Sequence, residues 1–113
     1  MTLRQTPLED LGPANLTPQA MIAQPIEHFL STLGISITEG DDDLGYFHGA
    51  ALVLDEKISF ALLHHRGDLP NTTIVYLVGQ QLDGPDVTKS VNEIIRALGV
   101  EDALVTWRRD PPL

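Results

Sequence analysis

Apolar residues recur along this chain in two rhythms. Over residues 24–33, Ile26, Phe29, Leu30 and Leu33 fall at helical spacing and form one stripe. Pro25 fits only the first turn of that helix, because it lacks an N–H and clashes with the preceding turn deeper in. Gly34 supplies the left-handed stop. A second stripe, Val87, Val91, Ile94, Ile95 and Leu98, opens after Asp83-Gly84-Pro85-Asp86 and closes at Gly99. Thr17-Pro18 also has the form of a helix start, an N-cap residue followed by proline at the first helical position.

Between the helices the pattern turns to strands. Residues 35–38 alternate and predict a short strand, followed by a charged loop over 39–43. Three longer runs, 46–54, 58–65 and 72–79, are separated by Asp55-Glu56-Lys57 and by residues 66–71. Links this short force antiparallel neighbours. Residues 103–107 give a last strand, and 109–113 a tail. Residues 1–16 carry Pro7, Gly12 and Pro13 without a period, and predict an arm, extended or disordered, that docks on the body. The expectation is one α+β domain over residues 17–108, a two-layer sandwich of an antiparallel meander of four to five strands with two packed helices. Its element order is α-β-β-β-β-α-β.

The first hairpin can be read to the residue. With Asp55-Glu56-Lys57 as a three-residue loop, Leu54 faces Ile58. One face then carries His48, Ala50, Leu52 and Leu54 opposite His64, Leu62, Phe60 and Ile58. The other carries Phe47, Gly49, Ala51 and Val53 opposite Leu63, Ala61 and Ser59. The first face has the volume to pack helices. The second is lined with small residues and admits another element closely, either the N-terminal arm or a second subunit of a homodimer.

At 113 residues the chain holds one domain, and 42% hydrophobic with 20% charged residues is globular composition. No apolar run approaches the ~20 residues of a membrane helix, and Met1 to Pro7 has no apolar signal region, which predicts a cytoplasmic protein. The absence of cysteine removes disulfides, thiol nucleophiles and thiolate metal sites.

Charge changes the picture more. The net charge is −9, and between Gln5 and Glu56 nine acids meet no Lys or Arg. Such a field repels phosphate backbones and anionic membranes, and steers a basic protein toward it. Asp41, Asp42, Asp43, Asp55 and Glu56 are the residues expected to meet that partner.

Candidate chemistry is sparse. His48 lies across the hairpin from His64, or from His65 if the turn holds two residues, and two imidazoles at ~5 Å spacing suit a shared metal or a pH switch. A zinc site needs further ligands, for which Asp43 and Asp68 are nearest in sequence. Counting twelve from Asp41 reaches Leu52 rather than a bidentate Glu, so the acidic run is no EF-hand loop. No Gly-x-Ser-x-Gly elbow and no phosphate loop ending in Lys-Ser/Thr is present. Trp107-Arg108-Arg109 combines an aromatic with two cations and suits an acid patch such as Asp41 to Asp43 of another copy.

The core order α-β-β-β-α-β, with Asp43 ahead of a strand and Asp55-Glu56-Lys57 on the hairpin, resembles the PD-(D/E)xK nuclease family. That resemblance implies a metal-dependent enzyme in which Asp43 and Asp55 hold magnesium and Lys57 orients the attacking water. No proline precedes Asp43. A small-ligand sensor with Gly49, Ala51, Ser59 and Ala61 as a pocket floor is a third class. Weighed together, the sequence points to a non-enzymatic acidic protein-interaction module, an adaptor, dedicated chaperone or immunity-type inhibitor that binds a basic partner and needs no cofactor.

Overall fold

The computed structural model describes residues 2–11, 16–42, 45–78 and 84–109. Among the described residues seven strands form one sheet: β1 (Leu3–Thr6), β2 (Leu16–Ile22), β3 (Thr38–Asp42), β4 (Gly45–Leu54), β5 (Ile58–His65), β6 (Thr73–Val78) and β7 (Val105–Arg108). The helices are α1 (Ile26–Leu33) and α2 (Gly84–Leu98), and single 3-10 turns cover Leu8–Leu11 and Asp102–Leu104. Strand order across the sheet is β1-β4-β5-β6-β2-β7, with β3 on β4 as well, and every pairing is antiparallel. The α+β class holds, and the sheet exceeds the expected four to five strands.

The β4–β5 hairpin organises the rest. Leu54 pairs with Ile58 and His48 with His64, the three-residue-loop register. Asp55 and Glu56 take φ of 53° and 56°, the left-handed geometry that lets a tight turn follow the strands' twist. On one face Leu52, Leu54, Phe60, Leu62, Val75 and Leu77 meet Ile26 and Phe29 of α1 and Val91, Ile94 and Leu98 of α2, all buried. The α2 stripe Val87, Val91, Ile94, Ile95 and Leu98 is buried throughout, whereas of the α1 stripe Ile26 and Phe29 are buried and Leu30 and Leu33 only half-buried. Gly34 closes α1 at φ 66°, its N–H donating to the Leu30 carbonyl at 3.0 Å.

The opposite face carries Ala51 and Ala61, flanked by Phe47, Leu63, Tyr76 and Val78 and covered by Leu8 and Leu11. The N-terminal segment therefore supplies the cover the small residues admit. A ligand pocket with Ala51 and Ala61 as its floor is accordingly filled by side chains from this chain, and Gly49 is closed off by Leu63 and the Leu62 carbonyl.

Three expectations are corrected. Residues 16–22, read as a helix start at Thr17-Pro18, form β2 between β6 and β7. Pro18 is tolerated because β7 pairs only with Ala20, Met21 and Ile22, and because the register shifts between Pro18 and Ala20, a bulge. Residues 35–38, read as a strand, are mostly loop, with Ile35 and Ile37 packed on the helix-side core. The acidic stretch read as a loop is instead β3, paired with β4 from Thr38↔Gly49 to Asp42↔Gly45. A Cβ at Gly40 would lie 2.7 Å from Phe47 Cζ, so a side chain there would have to displace the Phe47 ring.

The free edge of β4 is thus shared end to end by two short strands. β1 takes Ala51 to Leu54 and β3 takes Gly45 to Gly49. Gln5 joins them. Its amide Nε2 donates to the Ser36 carbonyl at 2.6 Å and its Oε1 accepts from the Ser36 N–H at 3.0 Å, the exchange a backbone pair would make.

Two stability outcomes follow. Leu8→Ala or Leu11→Ala removes the cover from Ala51 and Ala61 and should cost about 2–3 kcal/mol in chemical denaturation. Gln19, at the β2 bulge, is fully buried, and neither side-chain amide atom has a hydrogen-bond partner among the described residues. Gln19→Met should therefore raise stability by about 1 kcal/mol in the same assay; unchanged or lower stability would show that the amide is solvated in solution.

Candidate functional site

The hairpin register places a line of polar side chains across β3, β4 and β5. On the helix-bearing face, Glu39 and Asp41 of β3 stand opposite His48 and Tyr46 of β4, and His48 stands opposite His64 of β5. The Arg66 N–H donates to the Tyr46 carbonyl at 2.9 Å, so Arg66 continues the row. Three adjacent strands therefore gather two acids, a phenol, two imidazoles and a guanidinium.

Within this row the contacts are short. His48 Nε2 lies 3.3 Å from the Tyr46 hydroxyl and 3.5 Å from Glu39 Oε1, and the two rings meet edge to face at 5.3 Å. Arg66 Cζ sits 5.8 Å from the centre of the Tyr46 ring. Hydrogen bonding to the Glu39 carboxylate, helped by desolvation, raises the Tyr46 pKa, against a smaller opposing pull from Arg66. The phenol is thereby held in its protonated form, able to donate. His64 Nδ1 lies 2.8 Å from the Thr72 carbonyl, an oxygen that only accepts, so Nδ1 carries the proton.

His65, the alternative partner for His48, is on the other face and buried. It packs between Phe47 and Tyr76 at 5.5 and 6.2 Å, and its N–H donates to Asp68 Oδ2 at 2.9 Å. Asp68 thus caps the β5–β6 loop on the far side of the sheet from His48 and His64. Among the described residues no three His, Asp or Glu side chains are grouped to hold a metal ion, and Asp43 lies outside them. The His48–His64 pair has two nitrogen ligands to offer and no described third.

The remaining expected residues are divided between the two ends of β4. Asp41 and Asp42 pair at its start, opposite Tyr46 and Gly45. Asp55 and Glu56 follow its end, about 30 Å away along an extended strand. There they face inward to the N-terminus. Asp55 Oδ1 accepts from the Thr2 N–H at 2.7 Å, the Asp55 N–H donates to the Thr2 carbonyl at 2.8 Å, and Glu56 pairs with Arg4 at 2.8 Å. That pairing raises the Arg4 pKa through the Glu56 hydrogen bond and charge. Asp55 and Lys57 sit in the reversing turn rather than in a strand. Both line a cleft of about 500 Å³ with Lys89, Ser90 and Glu93 of α2.

Glu39, Tyr46 and Arg66 were not singled out from the sequence, although the register that pairs His48 with His64 also pairs Tyr46 with Arg66. Glu39 was hidden by the reading of its segment as a loop. No helix among the described residues is long and apolar enough to cross a membrane. Comparison with protein-family models, with curated proteins and with solved structures finds no match.

The Tyr46–Glu39 bond has a spectroscopic consequence. In a Tyr76→Phe background, ultraviolet titration should place Tyr46 ionisation above the ordinary tyrosine range, and Glu39→Gln should move it down. The folded-state value is raised, so this interaction holds at neutral pH and is lost as pH climbs through it.

Proposed function

We propose that this protein is a non-enzymatic protein-interaction module whose acidic sheet edge, β3, receives a basic, extended segment of a partner protein. The observation that carries this reading is the conversion of the acidic run from loop to edge strand. An edge strand presents a row of backbone N–H and C=O groups, ready to pair with an added strand. β3 pairs with β4 on one side, and among the described residues no strand lies on its other side.

Charge supplies selectivity. Glu39 and Asp41 flank the edge, with no Lys or Arg within β3. Like-charged strands are rejected, and a segment bearing Lys or Arg is steered in. Asp55 and Glu56, by contrast, fasten β1 to the hairpin, which narrows the expected contact surface to the β3 end of the molecule. The same negative field argues against nucleic acid as the partner.

Capture from the source lysate with the tagged protein tests this. A basic protein should be retained stoichiometrically at low salt and released as salt rises. Glu39→Lys/Asp41→Lys should reduce its capture by roughly tenfold or more, while Glu56→Gln should leave it unchanged. Equal capture by the charge-reversed variant would contradict the reading.

A further inference from the structure

The second sheet edge is the electrostatic counterpart of the first. β7 pairs only with β2, and among the described residues no strand lies outside it. It carries Thr106, Trp107 and Arg108, followed by Arg109, whose N–H donates to the Gln19 carbonyl at 2.8 Å and so prolongs the edge. Trp107 is 44% exposed. Arg108 is held by α2, its Nη1 donating to Asn92 Oδ1 at 2.7 Å. With Arg96 it lines a cleft of about 410 Å³ beside the edge, where Asp102 is the one acid among the described residues.

Strand direction makes the two edges compatible. All pairings are antiparallel, so β7, four steps from β4, runs with β4, while β3 runs against it. β3 and β7 therefore point in opposite directions. A second copy placed beside the first without being turned over sets its β7 antiparallel to β3, with both sets of helices on the same face. On that face Glu39 and Asp41 of one copy meet the Arg108 and Arg96 side of the next. The strands match in length, five residues against four.

Charge also rejects the symmetric alternatives. Two β3 edges brought together would oppose carboxylates, and two β7 edges would oppose arginines. Only the head-to-tail contact joins unlike charges.

We propose that this protein associates with itself head to tail, the acidic β3 edge of one copy receiving the basic β7 edge of the next in one continuous antiparallel sheet. This inference rests on the reading of β3 as a docking edge and names a second copy as a partner for it. Strands of four to five residues bury less than the roughly 1,200 Å² of stable complexes, so the contact is reversible and concentration-dependent. Being heterologous, it extends as an open series.

Sedimentation equilibrium of the full chain tests it, from about 10 μM to about 1 mM at low salt and again at about 0.5 M salt. Average mass should rise with concentration at low salt and fall toward the monomer at high salt. Glu39→Lys/Asp41→Lys, with two basic edges, and Arg108→Glu/Arg109→Glu, with two acidic edges, should each stay monomeric alone. Mixed together they should associate again, which also shows both to be folded. Arg96→Glu alone leaves the Arg108–Asn92 bond in place and should weaken self-association at least threefold. Wild-type protein that stays monomeric throughout, or association that neither reversal disturbs, overturns the proposal. If wild type is monomeric yet still captures a basic partner that Glu39→Lys/Asp41→Lys loses, self-association fails while the docking edge stands. If capture fails as well, both fall.

Discussion

The register of the β4–β5 hairpin is the constraint on which the rest of the molecule depends. Side chains on a strand alternate between faces, so a slip of one residue would exchange every inward and outward position. With Leu54 set against Ile58, the large side chains of both strands turn toward α1 and α2, and Ala51 and Ala61 turn toward the Leu8–Leu11 turn. The same register sends His48, His64, Tyr46 and Arg66 to one face and His65 to the other. Core, cover and polar row thus follow from the placement of one three-residue turn.

That hairpin was legible in the sequence because two long alternating runs flank a short polar link. The helices were legible because their apolar stripes are interrupted only by Gly34 and Gly99, both left-handed. β1 and β2 were not. β1 has four residues and gains its order from β4, Asp55 and Glu56, contacts some fifty residues distant in sequence. β2 carries Pro18 behind a threonine, a local pattern that favours a helix start, and tertiary pairing with β6 overrides it. β3 was hidden for a similar reason. Gly and Asp are poor strand formers, yet pairing along the edge of β4 holds the segment extended.

The candidate site was half legible for the same physical cause. The histidine pair is a property of the hairpin and could be read from spacing. The company it keeps, Glu39 and Asp41, depends on a strand that local preference conceals. Net charge gave the sign of the field without its placement. The structure divides those acids by role. Asp55 and Glu56 hold the N-terminal strand, and Glu39 and Asp41 border an edge with open backbone groups. An acidic edge repels its own kind, and on the proposed reading it is receptive to a basic strand.

The most direct measurement of this account is amide hydrogen exchange, read residue by residue by NMR, as protein concentration is raised at low salt. The outward amides of Thr38–Asp42 and Val105–Arg108 should gain protection together, while amides in the paired interior of β5 and β6 stay as they were. Protection that does not change at either edge, or that grows instead over the exposed faces of α1 and α2, would contradict the assignment of the sheet edges as the interacting surfaces.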